Sequence, residues 1–451
     1  MQVRNARVRL HALYMSGKTI AANARLVHCS EVMRIPRLIA FRSAWMLALA
    51  FAGASAVLAA PPATHHGFSV ERLQRLDAAI EGEIARNRLP GAIMYVAREG
   101  QPVHLKCYGF QDIENQRPMQ EDAIFRIASM SKAVTTVAVM MLYEEGHFML
   151  KDPVSKYLPA FANPVVAVPA PDGNGYVTEK ARRPITIRDL LCHTAGLTYG
   201  YGIARDAYKQ AGLTHWYLVG NNETIAQVVD RLATLPLHGH PGESWQYGYA
   251  TDVLGRLVEV LSGQPLDQFI EQRITRPLGM HDTHFFLPPE KASRLANVYG
   301  LENDKLVLKE TAANSDFIHG PRKCFSGGAG LLSTTRDYAR FLQMLLNDGE
   351  LDGVRLLAPK TVELMRSNHT GDKYLGEGDG FGLGFWVIDQ PGKVGEIGSS
   401  GAYGWGSAYF PQYAVDPKER LVILFMTQLM PDGGSKLNHR VKQLTYQALI
   451  E

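Results

Sequence analysis

Residues 129–142 read as a helix that is apolar on nearly every side, with Val134, Val137, Met140 and Met141 spread around it rather than aligned in one stripe. Such a helix has no face to offer water, so other elements must enclose it in a large core. The material for that is present. The chain has 451 residues, 46% of them hydrophobic, which exceeds the usual single-domain size and predicts one large composite domain or two domains.

The pattern on either side of this helix differs in kind. Ser69 can cap a helix carrying Val70, Leu73, Leu76, Ile80 and Ile84 at helical spacing, ended by Pro90-Gly91. Ala92–Arg98 and Val103–Gly109 follow as strands around Glu99-Gly100, an antiparallel hairpin. The middle of the chain is helical. Thr186 to Asp189 has a capping-box pattern before Leu190-Leu191. Ile225, Val228, Val229 and Leu232 form one stripe, and Leu254, Leu257, Val258 and Leu261 another, closed by Gly263. Pro- and Gly-rich stretches at 163–184 and 235–244 read as loops. Strands return at Ala408–Val415 and Arg420–Thr427, and a last helix starts at Ser435. This order predicts an α/β domain built from both termini (69–145 and 300–451) around an inserted all-helical domain (146–299). The seam between two such domains is a common place for a ligand cleft.

Ahead of this, Arg34, Arg37 and Arg42 precede an apolar run from Ala44 to Ala59, ending in Val57-Leu58-Ala59-Ala60 before Pro61-Pro62. A basic region, a short apolar core and small residues at a cut site describe a secretory signal over 33–59, starting at Met33. Residues 1–32 read as a leader extension and 60–68 as a linker. The run is short for a membrane span, so no stable insertion is expected after cleavage, and the expected location is periplasmic or secreted. An uncleaved anchor is the alternative. The net charge of +3 gives no reason to expect nucleic acid as a partner. Cys107, Cys192 and Cys324 show no paired spacing and read as buried free thiols rather than a disulfide framework or zinc site.

Ser129-Met130-Ser131-Lys132 is the one S-x-x-K string in the chain, and it opens the enclosed helix. A three-residue step puts both side chains on one face, about a turn apart. A serine hydroxyl needs a nearby base to become a nucleophile at neutral pH. Lysine can supply that only as the free amine, and burial together with the positive end of a helix penalises the ammonium form. The bland alternative is a capping serine followed by a solvated lysine; the neighbours Ile127, Ala128, Val134 and Val137 argue against a polar face. Trp245-Gln246-Tyr247-Gly248-Tyr249 gives a second signal: a tyrosine hydroxyl can relay a proton between nucleophile and leaving group. By itself, an aromatic cluster at the start of a helix is more often packing. A third lies in the glycine-rich run from Gly398-Ser399-Ser400-Gly401 to Gly404-Trp405-Gly406-Ser407-Ala408, where a strand N–H could form half of an oxyanion hole. A tight turn between strands explains the same glycines.

Phe125–Lys132 (FRIASMSK), Leu191–Leu197 (LCHTAGL), Pro241–Tyr247 (PGESWQY), and Gly327–Ser333 (GGAGLLS) with Asp337–Phe341 (DYARF) stand in the order seen in the serine β-lactamase-related superfamily. From about Ser69 onward the chain resembles that superfamily, and within it family VIII carboxylesterases and class C β-lactamases. The resemblance implies an α+β fold of the β-lactamase/transpeptidase type, an antiparallel sheet flanked by helices. It also implies that Ser129 is acylated, that Lys132 and Tyr247 share the acid and base work, and that the Ser129 N–H makes one oxyanion contact. No metal or cofactor is expected.

Two departures bear on specificity. Class C enzymes end the tyrosine motif with an asparagine that binds the lactam side-chain amide; Tyr249 stands there. Their later lysine-threonine-glycine triplet has no lysine here. By spacing it matches Trp405-Gly406-Ser407, with Ala408 giving the second oxyanion N–H; Ser399-Ser400-Gly401 is a second alignment. Either way the cation for a β-lactam carboxylate is missing. The expected substrate is a small ester or amide, with hydrolysis of short-chain carboxylic esters through an acyl-serine and weak action on β-lactams. The alternatives are a β-lactamase or D-alanyl peptide hydrolase, and a non-catalytic binder keeping the fold. No G-x-S-x-G or HExxH motif occurs, His281-Asp-Thr-His284 reads as a turn rather than a metal site, and His193 reads as a cap of the Leu190 helix.

Overall fold

Ser69 starts the first helix as the sequence predicts, its hydroxyl accepting the Arg72 N–H ahead of α1 (Val70–Ala85). The computed structural model describes residues 64–451, so the signal segment expected at 33–59 and the extension at 1–32 lie outside the described residues. Strands β1 (Gly91–Arg98) and β2 (Gln101–Asp112) form the expected hairpin. Glu99 and Gly100 take φ of 52° and 79°, the two left-handed residues that a tight hairpin turn demands. β3 (Arg117–Pro118) adds an edge, and β4 (Ile124–Arg126) leads through a 3₁₀ turn at Ala128–Met130 into α2 (Ser131–Glu144).

The middle segment holds α3 (Ile187–Leu191), α4 (Ile225–Ala233) and α5 (Ala250–Ser262). Thr186 and Asp189 make the capping box reciprocally, and Gly263 closes α5 in the left-handed conformation. Part of the stretch read as a loop at 163–184 is instead a hairpin, Val165–Pro169 paired with Tyr176–Lys180. Its strands flank the turn-forming Asp172-Gly173-Asn174-Gly175, whose composition masks the short runs on either side. Then come β5 (Leu332–Thr334), α6 (Thr335–Leu346), β6 (Asp379–Phe381), β7 (Trp386–Ile388), β8 (Tyr403–Gly406), β9 (Gln412–Asp416), β10 (Leu421–Thr427) and α7 (Leu437–Tyr446). The strand expected at 408–415 is broken at its start. Phe410 has φ 78° and Pro411 has no N–H to give a ladder, so a turn occupies 407–411 and separates β8 from β9.

One eight-stranded sheet, in the order β6-β7-β8-β9-β10-β1-β2-β3, joins the two ends of the described chain. Every pairing is antiparallel, and β10 meets β1 in the register Ala92 opposite Thr427. Side chains alternate across it. Met94, Val96 and Phe425 pack with α1 and α7 residues such as Leu76 and Val441. Ile93, Leu424 and Met426 face the other way, into the cluster of α2 and α6. A sheet covered on both faces explains why β10 reads as a continuous apolar run.

Helix α2 is buried from Ser131 through Leu142 and packs on α5. Its cluster draws on all three segments of the chain, with Ile93, Val137, Leu190, Leu257 and Leu342 in one contiguous core. The turn ahead of α2 is pinned by Arg126, which is wholly buried and donates from Nε to Glu310 Oε1 at 3.0 Å and from Nη1 to the Ala296 carbonyl at 2.7 Å.

Candidate active site

Two of the four sequence motifs are stitched together by the backbone at the start of α2. β4 pairs with β5, Arg126 opposite Leu332; the Ile127 N–H donates to Leu331 O at 3.1 Å, and the Leu331 N–H donates to Ser131 Oγ at 3.0 Å. Ala128 is held at φ 34°, a region a β-carbon disfavours, and it is completely buried. Strain at the residue preceding Ser129 sharpens the turn that carries the hydroxyl. The turn's own bonds begin with Met130 N–H to Ile127 O, and the Ser129 N–H lies ahead of them.

The other two motifs lie against each other. Gln246 N–H donates to His193 O and Gly242 N–H to Thr194 O, each at 2.7 Å. At Gly248 a β-carbon would fall 2.4 Å from the Leu197 carbonyl oxygen, so glycine is required for this close approach. The result delivers Tyr247 to Ser129: the phenol donates to Ser129 Oγ at 2.8 Å. A second donor converges on the same phenol oxygen, Trp405 Nε1 at 3.3 Å.

Lys132 is 0% exposed. Its Nζ donates to the Gly328 carbonyl at 2.7 Å and to Tyr199 OH at 3.2 Å, and lies 4.7 Å from the centroid of the Tyr247 ring. The hydroxyl of Ser129 is thus bonded directly to the tyrosine, while the lysine stands over the tyrosine ring. Tyr247 is further enclosed by His193 at 5.0 Å, Tyr199 at 5.6 Å, Trp405 at 5.5 Å and a parallel Trp245 at 5.7 Å between ring centroids. Tyr374 and Phe381 extend this aromatic wall from Trp245 and Trp405. Burial pushes the Tyr199 phenol well above its usual range and keeps it a neutral donor and acceptor. It pushes His193 well below, with the Lys132 charge adding to the effect, so the imidazole stays neutral.

A serine hydroxyl bonded to a tyrosine beside a buried lysine suits acyl transfer, and the comparisons with known proteins agree. The sequence profile named Beta-lactamase matches residues 76–446. The chain belongs to the Beta-lactamase family. Protein Rv1367c of Mycobacterium tuberculosis is 37% identical over 76% of this chain and 87% of its own length. Esterase EstB of Burkholderia gladioli is 32% identical over 80% of this chain and 91% of its own. In three dimensions the chain is similar to EstCE1, described as a hydrolase with promiscuous acyltransferase activity. The TM-score is 0.73 at 27% identity, over 83% of this chain and 98% of that one. The fold is therefore of the β-lactamase/transpeptidase type, and the protein is a serine hydrolase with esterase relatives.

Within this Beta-lactamase family frame the structure separates the remaining candidates. β8 runs alongside the turn bearing Ser129, and Ala408 packs against the small apolar cluster that contains Ala128. Trp405-Gly406-Ser407 therefore borders the site. Ser399-Ser400-Gly401 belongs to the β7–β8 connection, where Ser399 N–H bonds Asp416 Oδ2, Ser400 Oγ the Asp389 carbonyl, and Gly401 N–H the Ile388 carbonyl. Ser407 turns to its own loop, its Oγ accepting the Tyr409 N–H.

Tyr249 is a correction. It is completely buried, donates to the His215 carbonyl at 2.7 Å and packs edge-on against Tyr199, so it backs the site instead of lining it. Its place directly before α5 turns the ring into the core. His193 also departs from the reading. Its backbone N–H closes α3 by bonding Leu190 O, but its ring caps nothing; both ring nitrogens are buried without a hydrogen-bond partner among the described residues. Missed by the sequence reading were Tyr199, which lies just beyond the Leu191–Leu197 motif, and Asp252, which looks like any acid in the first turn of a helix. Among the described residues no group of His, Cys, Asp and Glu could hold a metal ion, and His284 Nε2 lies 3.1 Å from Lys291 Nζ. Cys192 and Cys324 are buried free thiols, while Cys107 is only half-buried.

Proposed function

We propose that this protein hydrolyses short-chain carboxylic esters through an acyl-Ser129 intermediate, with Tyr247 as the immediate proton carrier. The observation that carries this reading is the 2.8 Å bond between Tyr247 OH and Ser129 Oγ, with Trp405 Nε1 donating to the same phenol oxygen. Once the Tyr247 phenol has released its own proton to water, Ser129 Oγ attacks the ester carbonyl carbon as its proton passes to the phenolate oxygen. Negative charge on that oxygen is favoured by the Trp405 N–H and by the Lys132 ammonium, which lies 4.7 Å from the ring centroid. The tetrahedral oxyanion rests on the N–H groups of Ser129 and Ala408. Collapse breaks the bond to the alcohol oxygen, which leaves with the proton. Water then repeats the sequence on the acyl-enzyme, with Tyr247 taking its proton, and releases the acid.

Trp405 supports an ester over a β-lactam. It offers a neutral donor where a lactam carboxylate would need a cation, and a charge-assisted contact is worth about 1.5–3 kcal/mol, a factor of roughly 10 to 150 in affinity. Comparing p-nitrophenyl butyrate with nitrocefin tests this. Ester turnover with at least tenfold lower kcat/KM for nitrocefin is expected, and efficient nitrocefin cleavage without ester turnover sinks the proposal.

The pattern at 33–59 further supports export, with action in the periplasm or outside the cell. N-terminal sequencing of native protein should begin near Ala60; an intact Met33 on mature protein would refute it.

A further inference from the structure

The glycine-rich motif at 327–330 supplies no reacting group, yet it is clasped between two helices directly behind Lys132. A β-carbon at Gly327 would come 2.8 Å from the Thr251 carbonyl oxygen and 3.0 Å from Thr135 Cγ2; one at Gly328 would come 2.6 Å from Asp252 Oδ2. Glycine is needed there for close approach. From α2, Lys132 Nζ donates to Gly328 O at 2.7 Å and Thr135 Oγ1 to Gly327 O at 2.8 Å, two side chains on one helix face. From α5, Asp252 Oδ1 accepts Ser326 Oγ at 2.6 Å and the Gly328 N–H at 3.1 Å. Gly328 therefore holds the carboxylate with its N–H and the amine with its carbonyl.

Asp252 is 1% exposed, and among the described residues its Oδ2 has no hydrogen-bond partner. A bare carboxylate oxygen in the interior is costly. A neutral amide could fasten the same two donors, so the charge is the property that fastening alone leaves unexplained. The titratable groups acting on or acted on by Asp252 are Lys132 from α2, Tyr199 and Tyr249 from the segment before α5, and Cys324. Lys132 is the cation among them. Burial raises the Asp252 carboxyl above its ordinary range and the Lys132 charge opposes that rise; the attraction is mutual.

We propose that Asp252 is the positioning residue for Lys132: through Gly328 it fixes the carbonyl that holds the amine, and its buried negative charge governs how readily the Lys132–Tyr247 pair gives up a proton. The inference rests on the acyl-transfer reading of Ser129. His193, Tyr199, Tyr201 and Asp252 are the other titratable groups set against that pair, and of these Asp252 is the one carboxyl.

The test is the pH profile of kcat/KM on p-nitrophenyl butyrate for wild type, Asp252→Asn and Ser326→Ala, with Ser129→Ala as control. Asp252→Asn keeps an acceptor for Ser326 and Gly328 but removes the charge, so the pair loses its proton more easily. The acid limb should move to lower pH by about half a unit or more. Ser326→Ala loosens the bracket at constant charge; kcat should fall several-fold with the limb in place. Superimposable acid limbs for wild type and Asp252→Asn overturn the inference. Should Asp252→Asn not give a native melting curve, Ser326→Ala decides alone, and an unchanged kcat overturns it. Failure of the underlying reading is separate: Ser129→Ala with wild-type turnover removes it whatever Asp252 does.

Discussion

Ser129→Ala is expected to lower kcat for p-nitrophenyl butyrate by roughly 10⁴- to 10⁶-fold, the loss seen when a covalent nucleophile is deleted. The residual rate would come from binding and the oxyanion donors, which the substitution leaves in place. The hydroxyl's one hydrogen-bonded side-chain partner among the described residues is Tyr247, so alanine leaves a phenol with one bond fewer at a half-exposed position and little reason for the fold to suffer. Melting temperature should stay near wild type. The companion measurement is mass spectrometry after a fluorophosphonate probe, which should add one label on Ser129 in the wild type and none in the variant. An unlabelled Ser129 in folded wild-type protein would speak for a binder that keeps the fold without the chemistry.

Tyr247→Phe should reduce kcat by about 10²- to 10⁴-fold, the usual contribution of a positioned acid–base group. The ring contacts with Trp245, His193, Trp405 and the Lys132 amine survive this change. What disappears is the oxygen that bonds Ser129 and accepts the Trp405 N–H. KM should therefore move little while kcat collapses, the pattern of an interaction made in the transition state. Activity within a few-fold of wild type would transfer the base role to Lys132 acting directly, which the geometry disfavours because its amine is bonded to Gly328 and Tyr199.

Much of the fold is visible in local chemistry. The Ser69 cap, the Thr186–Asp189 capping box, the Gly263 stop and the Glu99-Gly100 hairpin each depend on residues within a few positions, and each forms where the pattern puts it. Errors arise where local signals conflict. The 407–411 turn interrupts a run of strand-favouring residues because Pro411 fixes its own φ and offers no N–H to a ladder, which periodicity does not register; Phe410 before it sits at φ 78°. Tyr249 is a case of the same kind: a motif position says which residue is nearby, not which way its ring turns.

The sequence by itself singled out the candidate trio Ser129, Lys132 and Tyr247 and the sites of close approach. S-x-x-K spacing places two side chains about a turn apart, an all-round apolar helix buries the lysine, and the glycines record where backbones must touch. Only the tertiary structure decided who bonds to whom. Tyr247 reaches Ser129 across 118 residues of chain, Trp405 reaches Tyr247 across 158, and Asp252 and Lys132 both bond the Gly328 backbone. Hydrogen bonds are satisfied within about 3 Å in space whatever the separation along the chain, so partners brought together by packing leave no period or spacing for the sequence to show.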